Sequence, residues 1–233
     1  MTTNRQPPTA LRDDRPMPEI VLMADPRVAA VPIRENGEKL ADVRRTAELL
    51  TDGRTKDDTG AFAHLREGVL SRLLDAQAEL PDRMRLLIVE GYRPPPLQRR
   101  YFEEYAAELR TANPDWSADR VHVAASRYVS PPSIAPHSAG AAVDLTLADE
   151  HGRELDLGTP MNANPEESAG ACYTGFAGID DAARRHRDIL GAALTAAGLV
   201  NYPTEWWHWS YGDRYWALAT GADAALYGPL DEV

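Results

Sequence analysis

Cysteine is nearly missing from this chain of 233 residues: Cys172 stands alone. No intramolecular disulfide can form, and no cysteine cluster can hold zinc. Lysine is almost as scarce, with only Lys39 and Lys56 among the 25 basic residues. The resulting arginine bias suggests a GC-rich bacterial coding sequence. Positive charge as a whole is in deficit, leaving a formal net charge of −11. Nucleic acid and anionic membrane surfaces would be repelled, so neither is an expected partner. Long apolar runs are absent too. The longest stretch of low charge, ILGAALTAAGLV (189–200), is too short to span a bilayer. The opening MTTNRQPPTALRDDRPMPE is polar and proline-rich, without the apolar centre of a signal peptide. These absences lead to the expectation of a soluble protein in the reducing cytoplasm.

What is present points to one domain. Residues 1–18 read as a flexible tail, because their prolines and charges offer little to bury. No linker of Pro, Gly and Ser divides residues 19–233, and this length supports one substantial core. Leu65, Val69, Leu73 and Ala76 recur at helical spacing and predict a helix over 60–80. RLLIVE (85–90) reads as a buried strand that ends at GYRPPP (91–96), where three prolines predict an extended turn. Helices are expected over 97–110, over 117–129 behind a Ser117 cap, and over 180–198 between Asp180 and Gly198. Strands are expected at 141–147 and 205–211, with a glycine-rich loop across 148–178. Helices and strands do not alternate regularly, so the fold class is α+β.

Two stretches carry the chemistry, APHSAGAAVDLTL (135–147) and TEWWHWS (204–210). His137, Asp144 and His208 are the candidate ligands of one zinc ion. Two imidazoles and a carboxylate leave a fourth tetrahedral position for water, the pattern of a catalytic site. His137 and Asp144 are separated by an odd number of residues, so on a continuous strand they would face opposite ways. Gly140 is the residue that can bend the chain between them. Glu205 is the candidate proton-handling base, placed at the entry of a strand that holds His208. Arg93, beside Pro94, is the candidate group for an oxyanion. Taken singly, each has an ordinary reading: a core histidine, a surface ion pair, tryptophans that only pack. His64, His122, His151 and His186 read as surface or packing residues, as do the aromatics of YFEEY (101–105).

Four motifs in order resemble the zinc D-alanyl-D-alanine dipeptidases: GYRP (91–94), HSAGAAVDLTL (137–147), DLGTP (156–160) and EWWH (205–208). The resemblance runs from about residue 85 to 212. It implies a hedgehog/D-Ala-D-Ala peptidase-like fold, with a central antiparallel sheet carrying zinc and helices on its flanks. It implies His137, Asp144 and His208 as ligands, Glu205 as base, and Arg93 as the group stabilising the tetrahedral intermediate. Asn162 falls where these enzymes carry an acidic residue that helps hold the substrate's ammonium group. Ala135 and Pro136 replace small hydroxyl residues that precede the first ligand. The expected activity is zinc-dependent hydrolysis of a small D,D-dipeptide, most simply D-Ala-D-Ala. A related dipeptidase, carboxypeptidase or amide hydrolase with another small substrate is the alternative, as is a zinc-bearing module without catalysis.

Overall fold

A computed structural model describes residues 20–54, 57 and 59–230. The segment 1–18, read above as a tail, lies outside the described residues. In chain order the elements are α1 (Pro26–Ala30), β1 (Leu40–Asp42), β2 (Leu50–Thr51), β3 (His64–Arg66), α2 (Glu67–Glu79) and β4 (Met84–Glu90). There follow α3 (Pro95–Ala112), α4 (Ala118–Ala125), β5 (Ala142–Asp149), α5 (Asp181–Ala196), β6 (Val200–Asn201), β7 (His208–Ser210) and α6 (Arg214–Thr220). The α+β class holds.

The main sheet has the order β2-β4-β5-β7-β6. Its pairings are antiparallel except at the edge, where β2 runs parallel to β4. The centre of the sheet is antiparallel, as expected, and one edge is parallel. β1 and β3 form a separate antiparallel pair. The pair also explains why the expected helix over 60–80 begins only at Glu67. Gly60 takes a left-handed φ of 75°, a short 3-10 turn follows, and His64–Arg66 is extended to meet β1. Val69, Leu73 and Ala76 are the buried face of what remains, α2.

β5 is the middle strand and is buried along nearly its whole length. Its alternation sorts the sheet into two faces. Val143, Leu145 and Leu147 join the core cluster with Val69 and Leu73 of α2 and Leu190 and Leu194 of α5. Asp144 and Thr146 point to the other face, and both are buried. A strand with polar residues buried on one side has a task on that side, because burying an unpaired polar group is costly.

The helix ends follow local rules. Ser117 Oγ accepts from the Arg120 N–H, and Asp180 caps α5 through the Ala183 N–H. Pro95 and Pro96 are not an extended turn. They are the first residues of α3, where the missing N–H groups would have no helical partner anyway.

The expected bend between His137 and Asp144 is present. His137–Ala139 form a 3-10 turn, closed by Gly140 at φ 65°. A Cβ on Gly140 would lie 2.4 Å from Leu40 Cδ2. Gly140→Ala therefore combines a left-handed strain with a clash. We expect a loss of about 1–3 kcal/mol in chemical denaturation. A change below about 0.5 kcal/mol would show that the turn tolerates a side chain.

Candidate active site

Cross-strand pairing builds the site. Asp144 on β5 lies opposite His208 on β7, and opposite Glu90 on β4. Directly opposed residues share a face, so Glu90, Asp144 and His208 form a row across three neighbouring strands. The 3-10 turn brings His137 over this row. His208 Nδ1 is 2.9 Å from Asp144 Oδ1 and 3.2 Å from His137 Nε2. His137 Nε2 is 3.3 Å from Asp144 Oδ2. All three side chains are buried.

This set fits a tetrahedral cation. His137 Nδ1 lies 2.7 Å from the Gly91 carbonyl, which can only accept. The ring proton of neutral His137 therefore sits on Nδ1, and the Nε2 lone pair faces Asp144 and His208. Lone pairs converging at these separations resemble the edges of a zinc tetrahedron, about 3.3 Å for bonds near 2.0 Å. One ligand atom from each of the three lies within 4.8 Å of the others. Burial raises the Asp144 carboxyl, but His137 and His208 outweigh it and hold the group well below its ordinary value. Burial depresses His208, against the pull of Asp144. Its far atom, Nε2, is buried with no hydrogen-bond partner among the described residues.

Glu205 stands beside the set, with Oε2 3.9 Å from His208 Nδ1. It is not at a strand's entry. It lies in a tight turn, where its N–H donates to the Tyr202 carbonyl and its own carbonyl accepts from the His208 N–H. β7 is accordingly shorter than the strand expected over 205–211, and His208 is its first residue. The turn resolves the spacing problem, since residues three apart share a side on a tight turn but not on a strand. Burial pushes the Glu205 carboxyl well up, Asp144 adds to this, and Arg93 opposes it.

Arg93 faces the same centre. Its Nε and Nη2 donate to the two carboxylate oxygens of Glu90, at 2.7 and 2.6 Å. Its Nη1 donates to Gln98 Oε1 at 2.9 Å. Burial alone would depress the guanidinium, but the Glu90 carboxylate more than offsets it and keeps the group firmly charged. Glu90, Arg93, His137, Asp144, Glu205 and His208 line one cavity of about 450 Å³.

Asn162 is on the exposed outer wall of that cavity, with φ 61°. Ala135 and Pro136 are buried and are not among its lining residues. The sequence reading missed Glu90, Gln98 and Gly91. The only signal was a glutamate three positions before Arg93 in EGYR. It also assigned the YFEEY aromatics to packing. Phe102, Tyr101 and Tyr105 do pack in one apolar cluster, and the two tyrosines also line the cavity. Trp206, Trp207 and Trp209 are all buried in the core, and Trp207 also reaches the cavity wall.

The loop after β5 forms one side of the cavity and is firmly held. The Tyr128 hydroxyl donates to the Asn162 carbonyl at 2.7 Å, and the Tyr105 hydroxyl to Glu166 at 3.2 Å. Buried Arg187 donates to the carbonyls of Leu157, Ala171 and Tyr173. Trp206 Nε1 donates to Thr159 Oγ1 at 2.8 Å. No helix among the described residues is long and apolar enough to cross a membrane.

A compact histidine–carboxylate centre lining a cavity, beside a buried acid and a charged arginine, is an arrangement suited to a metallopeptidase. Comparison with known proteins makes the class specific. The D-Ala-D-Ala dipeptidase model of the M15 peptidases matches residues 47–221, and the chain belongs to that family. A D-alanyl-D-alanine dipeptidase of Synechocystis is 29% identical over 219 positions, covering 81% of this chain and 87% of the relative. One from Escherichia coli is 34% identical over 126 positions, 54% of each chain. Among solved structures, VanYB in complex with D-alanine-D-alanine aligns at 18% identity with a TM-score of 0.42. That alignment covers 73% of this chain and 83% of the other. The LD-carboxypeptidase LdcB aligns at 16% identity and 0.45, covering 83% and 77%.

Proposed function

We propose that residues 19–233 form a single zinc dipeptidase domain that hydrolyses the amide bond of a small D,D-dipeptide, D-Ala-D-Ala first among them. The observation that carries this reading is the convergence of His137, Asp144, His208, Glu205 and Arg93 on one cavity, in a chain of the D-Ala-D-Ala dipeptidase family.

His137, Asp144 and His208 are the residues that hold the ion. When bound, zinc supplies Lewis acidity toward the scissile carbonyl and lowers the pKa of water toward neutrality. Glu205 takes the proton of the attacking water and passes it to the departing amine. Its buried position suits both tasks, because burial raises the carboxyl and so strengthens its hold on the proton until the amine departs. Arg93 donates to the oxygen that gains charge as the carbonyl becomes tetrahedral. Gly91 keeps the His137 ring in the tautomer that presents Nε2.

The test is direct. Zinc-loaded protein is incubated with D-Ala-D-Ala, with L-Ala-L-Ala, and with a longer stem peptide ending in D-Ala-D-Ala. Release of free D-alanine from the D,D-dipeptide, at least about 100-fold faster than alanine release from the L,L-isomer, is the expected result. No turnover of the dipeptide at full zinc occupancy would remove this substrate. Preference for the stem peptide would make the protein a carboxypeptidase instead.

A further inference from the structure

Arginine has many rotamers, yet Arg93 is held in one by two side chains that the reaction above does not use. Glu90 is the last residue of β4 and is buried. The ladder between β4 and β5 runs regularly to the Ile88–Leu145 pair and then slips, so that Glu90, not Val89, opposes Asp144. Such a bulge exchanges which side chain faces which side of the sheet. Without it, Val89 would share the face of Asp144, and Glu90 would turn toward the apolar core. The bulge places a second carboxylate directly beside Asp144. Two opposed carboxylates repel unless each is neutralised. Arg93 neutralises Glu90, which leaves Asp144 as the charge that faces the two histidines.

Gln98 completes the grip. It is fully buried, takes Arg93 Nη1 on its Oε1, and donates from Nε2 to the Ser130 carbonyl at 2.8 Å. The same two chain segments are laced at three further points. The Arg93 N–H donates to the His137 carbonyl, the Ser138 hydroxyl donates to the Arg93 carbonyl, and His137 Nδ1 meets the Gly91 carbonyl. The arginine and the first histidine of the metal set are therefore held in fixed register.

We infer that Glu90 and Gln98 are positioning residues for Arg93 in the reaction proposed above, gripping its guanidinium so that the remaining N–H groups meet the developing oxyanion. The inference rests on that reading of Arg93. A free arginine would lose rotamer freedom at the moment the oxyanion forms, and the grip removes that freedom beforehand. Glu90 also neutralises much of the arginine's charge toward a ground-state carboxylate. The arginine then acts by direction more than by charge, so its benefit falls on kcat rather than KM.

The experiment compares Glu90→Gln, Gln98→Met and Arg93→Ala with the Glu90→Gln/Arg93→Ala double variant, each at equal zinc content. Glu90→Gln should lower kcat about 10- to 100-fold and move KM less than about threefold. In the Arg93→Ala background the same substitution should cost less than about twofold, because its effect passes through the arginine. Gln98→Met should show the same split with a smaller loss. Independently of turnover, the ¹⁵N NMR signal of the Arg93 Nε–H should exchange with water at least about tenfold faster in Glu90→Gln than in wild type. Equal losses in both backgrounds, or an unchanged exchange rate, would overturn the inference. Failure of the wild-type protein to cleave any of the three peptides would instead remove the dipeptidase reading, and the exchange rate would still decide whether Glu90 holds Arg93.

Discussion

Glu205→Gln lowers kcat on D-Ala-D-Ala by about 10³-fold while zinc remains at one ion per chain. A positioned proton acceptor contributes roughly 10²- to 10⁴-fold, and glutamine keeps the shape of the side chain without the acceptor. KM should change little, since Glu205 is not among the ligands and the substrate is neutral at the scissile bond. The same substitution carries a second expectation of opposite sign, in stability. Burial raises the Glu205 carboxyl above its ordinary value of 4.5. The folded protein therefore holds this proton more tightly than the unfolded chain does. Stability from this group is full below pH 4.5 and declines as pH rises toward the raised folded value. At neutral pH and without zinc, the glutamine variant should thus melt higher than wild type. Bound zinc should narrow the gap, because a nearby cation favours the carboxylate. Metal analysis, steady-state kinetics and melting with and without zinc check these statements. A fully active glutamine variant would take Glu205 out of the reaction.

Asp144→Asn should abolish turnover by a different route, the loss of the ion. Asp144 supplies both of its oxygens to the two histidines and is the only carboxylate of the ligand set. Asparagine keeps its size but removes the charge that offsets a dication. Loss of one outer partner of a ligand typically costs 10- to 100-fold in metal affinity, so loss of a ligand charge should cost more than about 100-fold. Zinc at 100 times its dissociation constant stabilises the wild-type fold by about 2.7 kcal/mol. For a chain of this size that is a rise of about 5–10 °C in melting temperature. At the same zinc concentration Asp144→Asn should show almost none of it. A variant that still binds one zinc with the full rise in melting temperature would exclude Asp144 from the set.

Parts of this structure were plain in the sequence, and each part has a local cause. The caps at Ser117 and Asp180 are satisfied by N–H groups three residues away. The bend at Gly140 follows from a backbone conformation that favours glycine. β5 was recognisable because its apolar and polar residues alternate while both of its faces are buried. The extended segment 64–66 inside the expected helix was not recognisable, because its partner β1 lies more than twenty residues upstream. Local periodicity does not report such pairing. The turn at Glu205 was missed for a related reason. EWWHWSY has the composition of a strand, yet its first residue is fixed by donating to the Tyr202 carbonyl and accepting from the Asn201 side chain on a preceding segment.

The sequence by itself determined the chemistry on offer: two histidines, an aspartate, a glutamate and an arginine, in an order shared with one peptidase family. It also excluded a cysteine zinc cluster and an intramolecular disulfide, since a lone Cys172 can form neither. Which side chains face one another was decided only by the tertiary structure. A one-residue slip in a strand pair exchanges the two faces, and no local pattern marks the slip at Val89. That slip sets Glu90 beside Asp144, and with it the direction of Arg93.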